Sequence, residues 1–264
     1  MRNSVVLTDL DGTLLSGDGC LGPAARHALR ALASRGVTVV PLTSKTEPEL
    51  RRWLRDLGLG ALGAFENGAG VITPDGVEEF SVAVPVGELR DLLLGIRRRL
   101  RLPISTLDEL ADSTVTAMTG LTAGALAQAR QRRFDLPFLA SADAADQVRE
   151  ALPRGDRIRL TAGGAFWHLH GRHDKADAAR RVLALVQTPG RSVGLGDAPN
   201  DAGFLALVDV PVLVPGPSGI DPQLLAALPG ARRAPAVAGD GWSAAVLSLL
   251  EEDPPPGDAP LEAA

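Results

Sequence analysis

Val5 to Leu15 reads VVLTDLDGTLL, a short apolar run that ends in two aspartates separated by one leucine. A continuous, β-branched run of this kind predicts a parallel strand buried on both faces. Asp9 then falls at the carboxyl end of that strand and Gly12 supplies the turn that follows. Both Asp9 and Asp11 therefore project into the crevice where open α/β sheets bind their ligands. Two acids so placed suit a metal-assisted displacement at phosphorus. One carboxylate attacks while a hard cation screens the substrate's charge, and the other protonates the leaving oxygen. The bland alternative is a pair of turn or helix-capping aspartates, and the remainder of the chain decides between them.

Strands and helices alternate after this start. Pro23 to Ser34 has Ala and Leu at helical spacing, and Gly36 to Leu42 is again apolar and β-branched, which predicts a second parallel strand with Thr43, Ser44, Lys45 and Thr46 at its carboxyl end. Those hydroxyls could hold a phosphate, although Thr46 also reads as the cap of a helix from Glu47 to Leu57. Ala61 to Phe65 predicts a third strand, followed by the glycine-rich stretch Glu66 to Gly70, where backbone can approach a ligand closely. A strand from Gly70 to Thr73 and a turn at Pro74 to Gly76 come next.

Between about residues 81 and 169 strands and helices mix without such loop chemistry, as in an inserted second unit. A helix is expected from Gly87 to Leu100 and another from Ala123 to Arg133, with strands at Ile158 to Thr161 and Phe166 to Leu169. Two arginine clusters, Arg97 to Arg101 and Arg130 to Arg133, are either solvated helix faces or partners of a ligand carboxylate. His168, His170 and His173 lack the Cys or carboxylate that would complete a zinc set, and donor contacts to a ligand are the better expectation. Asp174 to Val186 predicts a helix with Lys175 in its first turn, where a cation opposes the helix dipole unless an anion lies nearby. Val193 to Gly196 is another short apolar run, and it ends in Asp197 and Asp201. Asp197 is placed to complete a hard-metal site with Asp9, and Asp201 to brace the loop. A helix to about Val208, a strand from Val210 to Val214 and a closing helix from Trp242 to Leu250 follow. The proline-rich, acidic segment 251–264 is expected to be disordered.

Composition narrows the classes. The 264 residues, 45% hydrophobic, suffice for a substantial core. A net charge of -5 argues against a general nucleic-acid binder. No signal segment or membrane-length apolar run occurs, so no membrane partner and a cytoplasmic location are expected. The one cysteine, Cys20, excludes an intramolecular disulfide framework. Positive charge is carried almost entirely by arginine, and Lys45 and Lys175 are the only lysines. A site that still uses lysine calls for a compact ammonium.

Taken together, DLDGT at Asp9 to Thr13, Thr43, Lys175 and GDAPND at Gly196 to Asp201 resemble the four motifs of the haloacid dehalogenase superfamily of phosphatases. Within it the chain looks most like the mannosyl-3-phosphoglycerate phosphatase branch, through LTSKT at Leu42 to Thr46, ENGAG at Glu66 to Gly70, MTGL at Met118 to Leu121, RRFDLPF at Arg132 to Phe138 and GGAFWHLHG at Gly163 to Gly171. The likeness spans nearly the whole chain. It implies an α/β fold: a doubly wound parallel-sheet, Rossmann-like core of residues 1–80 and 170–250, with an inserted α+β cap at 81–169. It further implies Asp9 as nucleophile, Asp11 as general acid and base, and Thr43 and Lys175 as ligands of the phosphoryl group. Mg²⁺ would be held by Asp9, the Asp11 carbonyl and Asp197, with Asp201 in support. Ser44, Lys45, Asn67, Gly68 and Asn200 would border a small phosphorylated sugar-glycerate substrate. Where the branch usually has two glutamates in the cap, this chain has Arg133 and Leu136, and where it has lysine-glycine this chain has Lys175-Ala176.

The implied reaction is hydrolysis of mannosyl-3-phosphoglycerate to mannosylglycerate and phosphate, with glucosyl-3-phosphoglycerate or another sugar phosphate as the alternative. A non-catalytic, receiver-like phosphate sensor is the competing class. It is disfavoured because such a module needs only about 120 residues and no cap, and its acid pair and phosphoacceptor lie on different strands. Oligomeric state is not encoded legibly.

Overall fold

A computed structural model describes residues 4–252 apart from 18, 156, 164, 188 and 189; the expected disorder of 251–264 therefore falls almost wholly outside the described residues. The chain opens with β1 (Val5–Thr8), α1 (Pro23–Ser34), β2 (Thr38–Pro41), α2 (Glu47–Asp56), β3 (Gly63–Phe65), β4 (Gly70–Thr73) and β5 (Gly76–Glu79). It continues through α3 (Val86–Leu100), β6 (Ser105–Thr106), α4 (Asp112–Thr119), α5 (Ala123–Ala129), β7 (Asp135–Leu139), α6 (Ala142–Ala151), β8 (Ile158–Gly163) and β9 (Phe166–Gly171). It closes with α7 (Lys175–Val186), β10 (Ser192–Gly196), α8 (Ala202–Leu205), β11 (Val210–Leu213), α9 (Pro222–Ala227), β12 (Arg232–Arg233) and α10 (Ala238–Glu251).

The unalternating apolar run at the start does form a doubly covered strand, with Val5, Val6 and Leu7 fully buried. It lies inside a parallel sheet of order β12-β11-β10-β1-β2, in register Val5↔Ser192 on one side and Val5↔Thr38 on the other. Successive side chains of β1 point to opposite faces. Val6 packs with α1, α2 and α10 through Leu29, Leu32, Leu50, Trp242 and Val246. Val5 and Leu7 pack with α7, α8 and α9 through Ala179, Val182, Phe204 and Leu224. This is the doubly wound α/β core anticipated from the sequence. Strand order reverses beside β1, so the crevice beyond the carboxyl ends of β1, β2 and β10 is the site topology favours for a ligand. A bridge between Leu42 and Ala64 continues the sheet into an antiparallel trio, β3-β4-β5.

The second sheet, order β6-β7-β9-β8, is antiparallel. One face is apolar, and Leu136, Phe138 and Leu169 pack there against Leu89, Leu93 and Ile96 of α3 and Val148 of α6. Alternation sends Asp135, His168 and His170 to the other face. Four elements of this unit, β6, α4, β7 and α6, lie outside the sequence expectations. The helix expected over Ala123 to Arg133 ends at Ala129; the Arg130 and Gln131 amides still bond the Leu126 and Gln128 carbonyls, and the Arg133 and Phe134 amides turn to a distant carboxylate. The helix expected to run on to about Val208 is a 3-10 turn, Pro199–Asp201, followed by the single turn of α8.

The chain leaves the first unit after β5 and returns after β9, and the two crossings lie side by side: Arg172 N–H donates to the Val82 carbonyl at 3.3 Å. Gly171 makes this approach feasible, since a Cβ there would stand 2.5 Å from the Val82 oxygen. Gly171→Ala is expected to push the crossings apart and lower stability by about 1–3 kcal/mol, read by urea unfolding; an unchanged midpoint would mean that the crossings are free to separate.

Candidate active site

Three elements of the first unit, β1, β10 and α7, bring charged groups to the same crevice. Asp9 is the first residue after β1, Asp197 the first after β10, and Lys175 the first of α7, whose amino end is capped by Asp174 through a 2.9 Å bond from the Asp177 N–H. Lys175 Nζ donates to Asp9 Oδ1 at 2.6 Å and to Asp201 Oδ1 at 2.7 Å. The other oxygen of Asp201 accepts from the N–H groups of Asp197 and Ala198 at 3.0 and 3.1 Å, which ties the loop of Asp197 to the lysine. Thr13 Oγ1 donates to Asp197 Oδ1 at 2.6 Å. Gly12 adopts φ +81°, and a Cβ on it would stand 2.5 Å from Asp197 Oδ2. The glycine of the DLDGT string is thus required both by its turn and by the acid beside it.

Burial pushes the Asp9 carboxyl well above the ordinary range; Lys175 pulls it down, while Asp201, Asp197 and Asp11 push it further up. Burial likewise raises Asp197 to about 6, against the Thr13 bond. Burial disfavours the Lys175 ammonium, but Asp201 and Asp9 more than offset this and hold its pKa above the usual lysine range. Oxygens of Asp9, Asp197 and Asp201 lie within 4.8 Å of one another. Three acids facing one ammonium leave excess negative charge in a largely buried space, and all the donors are hard oxygens. That set fits an oxygen-seeking divalent cation.

The remaining expected site residues surround this centre. Asp11 is half-exposed and its carboxylate pairs with Lys45 Nζ at 2.8 Å. Thr43 is fully buried, and its hydroxyl accepts the Lys45 N–H at 3.1 Å. Asn200 Nδ2 donates to Asn67 Oδ1 at 3.1 Å, joining the turn after β3 to the loop after β10. Gly68 packs on the Asp174 carbonyl, which a Cβ would meet at 2.1 Å. Ser44 lies in the same loop as Thr43, its carbonyl accepting from Arg132 Nη1 at 3.1 Å.

The arginines and histidines of the second unit make protein contacts. Arg97 bonds Glu109, Arg130 bonds Asp112, Arg132 bonds Asp135, and Arg133 bonds Glu47 and Glu79. His168 Nδ1 meets Asp135 Oδ2 at 2.9 Å, and His170 Nε2 meets Thr161 at 3.1 Å. Although burial works against it, His168 and Arg132 hold Asp135 well below the usual carboxylate range. Of the two positions where glutamate is usual, Arg133 bridges to the first unit, and Leu136 packs against Leu169 in the apolar core of the second. Sequence reasoning missed Thr13, Glu66 and Arg132 as parts of the site's framework. Thr13 was available from its place in the DLDGT string, whereas the other two act across long separations that leave no local pattern.

A family model described as haloacid dehalogenase-like hydrolase matches residues 6–82. A glucosyl-3-phosphoglycerate/mannosyl-3-phosphoglycerate phosphatase of Persephonella marina is 28% identical over 94% of this chain and 97% of its own. One of the same name from Methanococcoides burtonii is 29% identical over 93% of this chain and 97% of its own. Residues 6–82 thus resemble the haloacid dehalogenase-like hydrolases. Two phosphatases thus resemble the chain over nearly their full length. The fold agrees: a haloacid dehalogenase-like hydrolase from Bacteroides thetaiotaomicron superposes with TM-score 0.72 at 17% identity, covering 93% of this chain and 99% of that one. Among the described residues no helix is long and apolar enough to cross a membrane.

One buried base near the crevice gives a stability signature. Neither ring nitrogen of His173 makes a hydrogen bond of normal geometry, and burial, with His170 adding, pushes its pKa down to about 4 from 6.5. The unfolded chain binds the extra proton between those values, so stability is present above about 6.5 and is lost as pH falls toward 4. Glu66, raised by burial to about 7, acts in the opposite sense over the same window. His173→Gln is expected to remove the acid-sensitive part. The stability of the native sequence relative to this variant should fall by about 2–3 kcal/mol between pH 7 and 4.5, measured by urea unfolding at each pH; a constant difference would show that His173 is not held neutral.

Proposed function

We propose that this protein is a Mg²⁺-dependent phosphatase that hydrolyses mannosyl-3-phosphoglycerate to mannosylglycerate and phosphate through an aspartyl-phosphate, with glucosyl-3-phosphoglycerate as the alternative substrate. The observation that carries the chemistry is the Asp9–Lys175–Asp201 chain of short bonds with Asp197 alongside. The names of the two full-length relatives support both sugars.

In this reading Asp9 attacks phosphorus as a carboxylate, and the bond from phosphorus to the glycerate oxygen breaks. Asp11, exposed enough to reach the leaving oxygen, delivers the proton. It then takes a proton from water as that water attacks the aspartyl-phosphate and restores Asp9. Thr43 and Lys175 bind the phosphoryl oxygens, and Lys175 also opposes the burial that favours protonation of Asp9. Asp9, the Asp11 carbonyl and Asp197 hold Mg²⁺, and Asp201 fixes the Asp197 loop. When bound, the cation neutralises charge on the transferring group. Ser44, Lys45, Asn67, Gly68 and Asn200 line the mouth, and the segment 81–169 covers it as a cap that selects the sugar.

Phosphate release is expected from the mannosyl and glucosyl compounds with Mg²⁺, with loss in EDTA and recovery on readdition of the metal. Asp9→Asn is expected to lower kcat by about a thousandfold or more. Substantial turnover by that variant would remove the covalent mechanism. Preference for an unrelated sugar phosphate would leave the chemistry intact and reassign the substrate.

A further inference from the structure

Glu66 and Arg132 sit together in the buried seam between the two units, and no step of the mechanism uses them. Glu66 is fully buried, and its carboxylate accepts the N–H groups of Arg133 at 2.9 Å and Phe134 at 2.7 Å. These amides lie in the connection from α5 to β7. Arg132, itself largely buried, is the counter-charge. Its guanidinium donates to Asp135 Oδ2 at 2.5 Å and crosses to the Ser44 carbonyl at 3.1 Å.

Three successive carbonyls of the Thr43–Lys45 loop are thereby occupied by this seam. Thr43 accepts the Asn67 N–H at 2.9 Å, Ser44 accepts Arg132 at 3.1 Å, and Lys45 accepts the Glu66 N–H at 2.8 Å. The turn that makes two of these bonds is strained, with φ +44° at Glu66 and +57° at Asn67. Non-glycine residues persist there only when the surroundings over-determine them. The surroundings here are the loop carbonyls on one side and the cap amides on the other. Further bonds tie the cap to the first unit: Thr46 Oγ1 to the Gln128 carbonyl at 3.0 Å, and Arg133 Nη1 to Glu47 Oε2 at 3.0 Å.

We propose that Glu66 and Arg132 are positioning residues, a clamp through which the seating of the cap on the core sets the geometry of the Thr43–Lys45 loop and of Asn67. This rests on reading that loop as the phosphoryl-binding one. The cap then does more than select the sugar, because it holds in place a loop that every phosphate ester must use. The clamp also differs from a simple tether: a tether that failed would free the cap and leave the core loop as it was.

The test uses Glu66→Gln and Arg132→Met in the full chain, with Glu66→Ala as the harsher variant. Amide hydrogen exchange is read at Lys45, Glu66, Asn67, Arg133 and Phe134, and kcat and KM are measured on p-nitrophenyl phosphate, a substrate too small to need sugar recognition. The expected result is faster exchange at Lys45, Glu66 and Asn67 as well as at Arg133 and Phe134. It should be accompanied by a fall of about tenfold in kcat with KM changed by less than about twofold, the pattern of lost transition-state contacts. Faster exchange confined to Arg133 and Phe134 with unchanged kcat would overturn the clamp and leave a tether. Should Glu66→Ala fail to fold, Glu66→Gln, which keeps the shape and removes the charge, decides. Should the native chain release phosphate from no ester, the functional reading fails while the exchange pattern still decides the clamp.

Discussion

The ammonium of Lys175, shared between Asp9 and Asp201, is the interaction on which the rest of the molecule depends. Ions removed from water cost several kcal/mol each unless partners are placed well. The two bonds at 2.6 and 2.7 Å meet that requirement only because three separate pieces of chain arrive together: the end of β1, the turn after β10 and the first turn of α7. A slip of one residue between β1 and β10 would move Asp9 by about 3.3 Å and leave charges without partners. Sheet register and site electrostatics are therefore one constraint. The lysine opens a helix, where the dipole disfavours a cation, so the acids and not helix preference explain its position.

How legible this was in the sequence depends on how local each cause is. The strands of the first sheet announced themselves because burial on both faces demands unbroken apolar runs, as in VVL before Asp9 and VGLG before Asp197. Their acids followed at the carboxyl ends, so most of the crevice could be placed from spacing and motif likeness. The second unit was harder. β7 has a proline at its centre, Pro137, a residue that argues against a strand when only the local pattern is read. The path of the chain between α5 and β7 is held by Glu66, more than sixty positions away. Such a cause leaves no trace in helical periodicity. Arg133 and Leu136 illustrate the converse: they stand where the family pattern usually has glutamate, and their contacts are with Glu47 and Glu79 for the arginine and Leu169 for the leucine.

The histidines follow the same logic. Their alternation along β9 put His168 and His170 on one face, as strand geometry requires, and what that face meets is the buried seam with Asp135, Thr161 and Arg132. Polar groups in such a seam fix how two layers sit only if each is satisfied. Most are, and His173, lying where the second crossing enters α7, carries the cost of burial as a displaced titration.

The strand order places the first segment made in the middle of the finished sheet, with β10 on one flank and β2 on the other. The Trp242 indole of α10 donates to Thr8 Oγ1 at 3.0 Å, and that hydroxyl donates in turn to the Asp9 carbonyl at 2.7 Å. During synthesis β1 must therefore wait, one flank uncovered, until almost the entire polypeptide has emerged. Its β10 neighbour, the lysine that balances its acid and the tryptophan that braces its end all come from residue 175 onward. Such long-range closure makes folding slow and leaves an apolar strand edge open to wrong partners in the interval. The same wiring has a protective side: a chain terminated before residue 175 lacks Lys175, Asp197 and the support beneath Asp9, so it cannot assemble the buried acid cluster.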